Sequence, residues 1–345
     1  MIALRQVVLA GLSTALIASS ALAAEVTLTV HHFLSPKAAT QTMLIEPWAE
    51  RITEQSDGRI AFEIFPSMSL GGKPTELYRQ VRDGVADIVW TVPGYTPGIF
   101  PRVEVFELPT VHRGSALATN LAIQDLYDDF LAADFDEIHP LLVHVHSGNA
   151  LHLADRPVRS LDDLSGMKLR TPSRTGAWMI AAWGAEPVGM PVPDLPQALS
   201  KGAIDGALIP FEVAMPLNVP ELTSYALEGP EGRRFGTAIF LLAMNKARYE
   251  ALPEDLRAII DANSGGALAQ EMGSVWDRVE LKGIEVAEQA GNEIIRLNPD
   301  DMAAFDERGD DVVARWIEEV AARDIDGAVL VDAAREAIER HTPTN

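Results

Sequence analysis

The sequence predicts an α/β protein of two lobes, each a mainly parallel sheet flanked by helices. Three observations carry that prediction. Strand-like and helix-like segments alternate from residue 25 onward, the chain is too long and too apolar for one core, and a stretch of one half is written again in the other.

The first 24 residues, MIALRQVVLAGLSTALIASSALAA, precede that pattern. They carry one early positive charge, Arg5, then an apolar run short and rich in small residues, and they end on Ala21-Leu22-Ala23. This reads as an export signal that is removed; the competing reading, a retained anchor, lacks the stop-transfer charges such a segment needs. The remaining residues, about 320 in a chain that is 47% hydrophobic, exceed what one core usually holds and favour two lobes. The chain has no cysteine, which excludes disulfides, thiolate metal sites, cysteine nucleophiles and a lipid on an N-terminal cysteine. Its formal net charge of -22 becomes -23 when the signal takes Arg5 with it, and this argues against nucleic acid or an anionic membrane as partner.

Along the chain, "EVTLTVHHF" (Glu25 to Phe33) alternates and is β-branched, so it reads as a strand. "TQTMLIEPWAERITEQSDGR" follows as a helix with Met43, Leu44, Trp48 and Ile52 on one face, stopped at Ser56-Asp57-Gly58. "IAFEIFP" is a second strand, Pro74 to about Asp83 a short helix, and "VADIVWTV" a third strand apolar enough to be buried on both faces. Strand, helix, strand, helix, strand implies a parallel lobe. After a helix at about 115–132 the pattern restarts with "PLLVHVHSG", the strand Met167 to Thr171, the helix in "TGAWMIAAWGA", a short strand "AEPVGMP", the helix Asp194 to Lys201 and the strand Ile204 to Ile209. From Glu254 onward the chain reads as nearly all helical, with a break around Arg296 to Pro299.

The repeat lies in "LYRQVRDGVADIVWTVPGY" (Leu77 to Tyr95) and "LPQALSKGAIDGALIPFEV" (Leu195 to Val213), 118 positions apart. Leu77 aligns with Leu195, Val81 with Leu199, Gly84 with Gly202 and Asp87 with Asp205. Each glycine falls where a helix turns into a strand through a left-handed cap. Chance agreement of common αβ patterns competes with the alternative that each lobe holds one copy of the same unit. In the second case the carboxyl ends of the two strands face each other across a cleft, where ligands of open parallel sheets bind.

Six pieces carry a family resemblance: "WAERITEQSDGRIAFEIFPSMSLGG", "ELYRQVRDGVADIVW", "VFELP", "VRSLDDLSGMKLRTPS", "WGAEPVGMPVPDLPQALSKGAIDGAL" and "AMNKARYEALPEDLRAII". In this order they resemble the extracytoplasmic solute-binding proteins of tripartite ATP-independent periplasmic (TRAP) transporters, the DctP-like family. The resemblance implies the two-lobed periplasmic binding protein fold, with a long bridging helix and a ligand cleft between the lobes. It implies a monomer in the periplasm of a Gram-negative bacterium that closes on a small organic solute and delivers it to the large and small membrane subunits of a permease. Residues 25–147 with about 235–275 then form lobe I, and 148–234 with about 276–345 form lobe II.

The resemblance also implies that Arg170, in "GMKLR", pairs with the ligand carboxylate, a role suited to a planar fork of donors in a dry cleft. Two positions depart from the family. Ala150 stands where many relatives have a second arginine, and Ile209 where they often have an asparagine, which disfavours a plain dicarboxylate or sugar acid. Trp90, Tyr95, Trp178, Phe211, Phe33 and Phe235 are candidate walls, His32 sits at a strand tip that faces the cleft, and Glu212 is a candidate anionic partner. Arg170 with an aromatic cage would suit a zwitterion, because each well-placed ring face contributes about 0.5–2 kcal/mol toward a cation. Each aromatic taken alone is more often core. The histidines at 139, 144, 146 and 152 lack a further ligand at recognisable spacing, so no metal is expected, and no cofactor. No nucleophile motif, zinc motif or phosphate loop occurs, so an enzyme on the same fold is disfavoured. A periplasmic sensor for a receptor kinase would share this fold and pocket.

Overall fold

The computed structural model describes residues 24–343. The export signal, all but Ala24, lies outside the described residues. In chain order the elements are β1 Val26–His32, α1 Glu46–Gln55, β2 Ile60–Phe65, α2 Leu77–Arg82, β3 Ile88–Thr91, α3 Ala116–Leu126, β4 Ile138–Val145, β5 Ala150–Leu153, β6 Lys168–Thr171, α4 Arg174–Ala182, β7 Glu186–Gly189 and α5 Leu195–Ser200. They continue with β8 Gly206–Ile209, α6 Phe211–Ala214, β9 Tyr225–Glu228, β10 Ile239–Asn245, α7 Lys246–Glu250, α8 Glu254–Ala262, α9 Gly265–Gln289, β11 Glu293–Arg296, α10 Pro299–Ala321 and α11 Gly327–His341.

The strands form two sheets, ordered β2-β1-β3-β10-β4 and β7-β6-β8-β5-β9-β11. In the first, β10 alone runs against its neighbours; in the second, β5 alone does so. The reversed strands are the ones that arrive from the opposite sheet, since β5 follows β4 and β10 follows β9. The two crossings are bonded to each other: the Asn149 N–H donates to Gly236 O, and the Phe235 N–H to Asn149 O, each at 2.9 Å. A backbone pair buried at this junction leaves no orphan donor.

The repeated stretch occupies the same place in both sheets. β3 and β8 each lie between a parallel neighbour and the reversed strand, and each follows a helix ended by a left-handed glycine, Gly84 at φ 74° or Gly202 at φ 62°. The aspartates do the same work. An Asp87 carboxylate oxygen accepts from the Thr29 N–H of β1 at 2.8 Å, and one of Asp205 from the Lys168 N–H of β6 at 2.7 Å. Their carbonyls accept in turn from the Asn245 N–H at 2.7 Å and the Ala154 N–H at 2.9 Å, at the ends of β10 and β5. Each aspartate therefore ties three strands together at the edge opposite the cleft.

Helix α9, 25 residues and about 38 Å long, bridges the lobes. It packs on α3 of the first lobe and α6 of the second. A Cβ at Gly273 would lie 2.5 Å from Leu117 Cα, and one at Gly283 2.5 Å from the Phe211 carbonyl, so both contacts require glycine.

Four strands were not legible in the sequence. β5, β9 and β11 have four residues each, and β11 lies within the region read as nearly all helical. β10, "IFLLAMN", is buried on both faces and reads without alternation. The predicted helix at 115–132 ends as α-helix at Leu126 and continues through a π-turn, Tyr127–Leu131. α11, which the sequence division places with the second lobe, packs on α3 of the first, while α10 packs on α4. The cause lies in α3, whose buried Ala122, Ile123 and Leu126 leave it apolar on more than one side and needing a second cover beyond α9.

Candidate ligand-binding site

The two lobes meet in a cleft at the carboxyl ends of β1, β3, β6 and β8, closed down to a cavity of about 30 Å³. One wall is aromatic. Phe33 follows β1, Trp90 ends β3, Tyr95 follows it, and Phe240 comes from the start of β10. Trp90 stacks on Phe240 with centroids 4.8 Å apart and planes 9° from parallel, and Phe33 lies 5.0 Å from Trp90 and 5.6 Å from Tyr95. The Trp90 indole N–H donates to His144 Nε2 at 3.0 Å, which fixes the ring. The opposite wall is Pro172, Val192, Leu208, Ile209, Pro210 and Val213.

Arg170, at the end of β6, is the one cation in this lining. It is 2% exposed and has no carboxylate partner among the described residues. Its Nε–H donates to Met190 O at 3.0 Å and its Nη1 to Leu208 O at 3.3 Å, so two carbonyls orient the fork. Burial pulls its pKa down, and the Tyr95 hydroxyl beside it and the charge of Asp194 work the other way. A buried guanidinium with no carboxylate in direct contact is unfavourable until an anion joins it.

The cleft is closed by direct contacts between lobes. The Val192 N–H donates to the Tyr95 hydroxyl at 2.9 Å, Arg174 pairs with Glu104 (Nε to Oε1, 2.7 Å), and Thr175 Oγ1 donates to Glu107 Oε2 at 2.9 Å. Gly94 sits so close to Ser173 that a Cβ there would lie 2.7 Å from the serine Cβ. Glu107 is fully enclosed, its other oxygen accepting from the Ile239 N–H at 3.0 Å, and burial pushes its pKa to about 7, with the Glu104 charge adding to the rise.

Of the residues singled out in the sequence, the structure brings Arg170, Trp90, Tyr95 and Phe33 together in this space. The others lie elsewhere. Trp178 is held between the guanidinium groups of Arg174 and Arg315, 5.1 and 4.1 Å from its ring. Phe235 packs between Trp183 and Phe305, 5.4 Å from each. After Pro210 the chain turns helical, so Pro210 and Val213 face the cleft while Phe211 and Glu212 turn toward α9. Phe211 rests on His152, 4.7 Å away, and under Arg234 at 5.2 Å. Glu212 lines a separate groove with Lys37, Met215 and Arg278, and burial raises its pKa to about 8. His32 is spent on Gln41, Nε2 to Oε1 at 3.0 Å. Among the described residues no group of three His, Asp or Glu side chains is placed to hold a metal.

Sequence reasoning missed His146, Asn149 and Phe240, which all line the cleft. The available signal was position: His146 follows the end of β4, Phe240 opens β10, and Asn149 opens the crossing to β5. Ala150 and Ile209, the two departures noted above, are cross-strand partners in β5 and β8. The two positions that the resemblance marks as departures thus share one spot of the sheet, beside an apolar wall.

This arrangement, two sheets joined by two crossings with a closed cleft between, is that of an extracytoplasmic solute-binding protein. Residues 30–319 match the family model for bacterial extracellular solute-binding protein, family 7 (DctP), and the chain belongs to that family. It is similar to a TRAP solute-binding protein from a marine metagenome, specific for aromatic acid ligands and solved with metahydroxyphenylacetate: 41% identity, 92% of this chain and 100% of that one, TM-score 0.90. A TRAP solute-binding protein from Rhodoferax ferrireducens T118, solved with copurified benzoate, is 41% identical over 92% of this chain and 98% of that one, with a TM-score of 0.88. The outer membrane transporter protein TsaT of Comamonas testosteroni is 27% identical over 94% of this chain and 96% of its own length. The family binds solutes and does not transform them, and no helix of the described residues is long and apolar enough to cross a membrane.

Proposed function

We propose that this chain captures a small aromatic monocarboxylate in the periplasm by closure of its two lobes and delivers it to a TRAP permease of large and small membrane subunits. The observation that carries this reading is Arg170, buried without a carboxylate partner in a closed space walled mainly by aromatic and aliphatic side chains. A carboxylate supplies the missing counter-charge as a bidentate pair, and a flat ring packs between Phe33, Trp90 and the aliphatic wall as the lobes part to admit it, where offset or edge contacts contribute about 0.5–1.5 kcal/mol each.

The aromatic-acid ligands of two neighbours near 41% identity support the same class. Ala150 and Ile209 support one carboxylate rather than two. A zwitterion or cation is supported less well, because Glu212, its intended anionic partner, lies in the other groove. Native mass spectrometry of the protein from periplasmic extract tests the reading. Retention of a mass belonging to a benzoate-like acid is expected; retention of a dicarboxylate, a uronate or a betaine would overturn it.

A further inference from the structure

Two polar groups in the cleft are not used by the carboxylate or by closure. His146 Nδ1 accepts from the Gly148 N–H at 2.9 Å, with Thr237 Oγ1 at 3.4 Å from the same nitrogen. A ring nitrogen that accepts an amide proton carries none itself, so in the neutral ring the proton sits on Nε2. Burial, with the neighbouring His112, His144, Arg234 and Arg170, keeps the ring neutral, its pKa well below the ordinary value. No acceptor among the described residues takes the Nε2–H. Asn149 is similar. Its backbone is spent on Gly236 and Phe235, while its side-chain amide bonds to no described residue. Both residues line the cleft, 2% and 5% exposed.

A bare ring would therefore leave a donor and an amide enclosed without partners, an unfavourable state. We propose that His146 and Asn149 form a second polar subsite, which accepts a hydroxyl on the ring of the bound acid. The hydroxyl oxygen accepts from His146 Nε2–H, and the hydroxyl O–H donates to the Asn149 side-chain oxygen. This rests on the aromatic-acid reading and narrows it: the ligand is a hydroxylated aromatic acid, with the carboxylate at Arg170. A site built to bond a hydroxyl rejects the analogue that lacks it far more strongly than an apolar pocket distinguishes size.

The test is calorimetric titration of ligand-free protein with benzoate and with 2-, 3- and 4-hydroxybenzoate. At least one hydroxybenzoate isomer is expected to bind about tenfold or more tightly than benzoate. His146→Leu should weaken that isomer about tenfold and leave benzoate within about threefold. Because His146 also holds Gly148, Asn149→Ala, which keeps the backbone bonds of the crossing, serves as the second variant and should show the same selective loss. Equal weakening of benzoate and the hydroxybenzoates would mean that these residues serve the carboxylate, and would overturn the proposal. No preference in the wild type, or no effect of either variant, would also overturn it. Failure of all four acids to bind would instead sink the aromatic-acid reading beneath it, and is distinguished by the absence of any heat with the unmodified protein.

Discussion

Asp277 and Glu280 lie one turn apart on α9 and hold opposite lobes. Asp277 accepts from the Ala116 N–H at 2.7 Å, the Leu117 N–H at 3.2 Å and Ser147 Oγ at 2.8 Å, at the start of α3 and the first crossing. Glu280 accepts from the Phe211 and Glu212 N–H groups at 3.2 and 2.9 Å, at the start of α6, and pairs with Arg234 at 3.2 Å. One rigid helix thus grips both halves through adjacent carboxylates placed at helix N-termini, where negative charge is favoured.

Asp277→Ala strands the first amides of α3, two of them bonded to the carboxylate, and leaves Ser147 loose at the crossing. The expected loss is about 1–3 kcal/mol of unfolding free energy. Urea unfolding followed by circular dichroism measures it, and an unchanged midpoint would show that water replaces the carboxylate without loss.

Gly283→Ala places a methyl 2.5 Å from the Phe211 backbone, which cannot yield as a flexible side chain could. Pushing α6 from α9 costs about 1–3 kcal/mol, and it shifts Pro210 and Val213, which line the cleft. Lower stability and weaker ligand binding should therefore appear together. Gly184→Ala, at a left-handed turn with open space around it, should lower stability through backbone strain while leaving affinity unchanged.

Closure should take up a proton at Glu107. Burial raises its pKa to about 7, above the ordinary value of 4.5, so the closed form favours the protonated carboxyl. Its contribution is fully present below pH about 4.5 and is lost as pH rises through about 7, up to about 3 kcal/mol. Affinity should fall between pH 5 and 8 in wild type, and Glu107→Gln should flatten that profile. Titrations at three pH values decide; a wild-type affinity constant across the range would exclude the linkage.

Much of this fold was legible because β1, β2, β3, β6 and β8 are separated by helices with clear caps, and because Asp87 and Asp205 repeat one structural task. β5 and β10 were hidden, since a strand that crosses between sheets carries no local mark of which sheet it joins. In the cleft, Arg170 was legible through the family resemblance, and Trp90, Tyr95 and Phe33 as aromatic residues at or just after strand ends. Phe211 and Glu212 misled because the chain changes from strand to helical period at Pro210. Trp178 and Phe235 misled because an aromatic residue packs equally well against arginines or other rings, and only the tertiary structure decides which.

The central claim is that Arg170 is a counter-charge waiting for a carboxylate. Titration of benzoate and the hydroxybenzoates into wild type and Arg170→Met tests it most directly. The account predicts that the variant loses at least about a hundredfold in affinity, near 3 kcal/mol, for the tightest of these acids. Binding of that acid to Arg170→Met as tight as to wild type would contradict it.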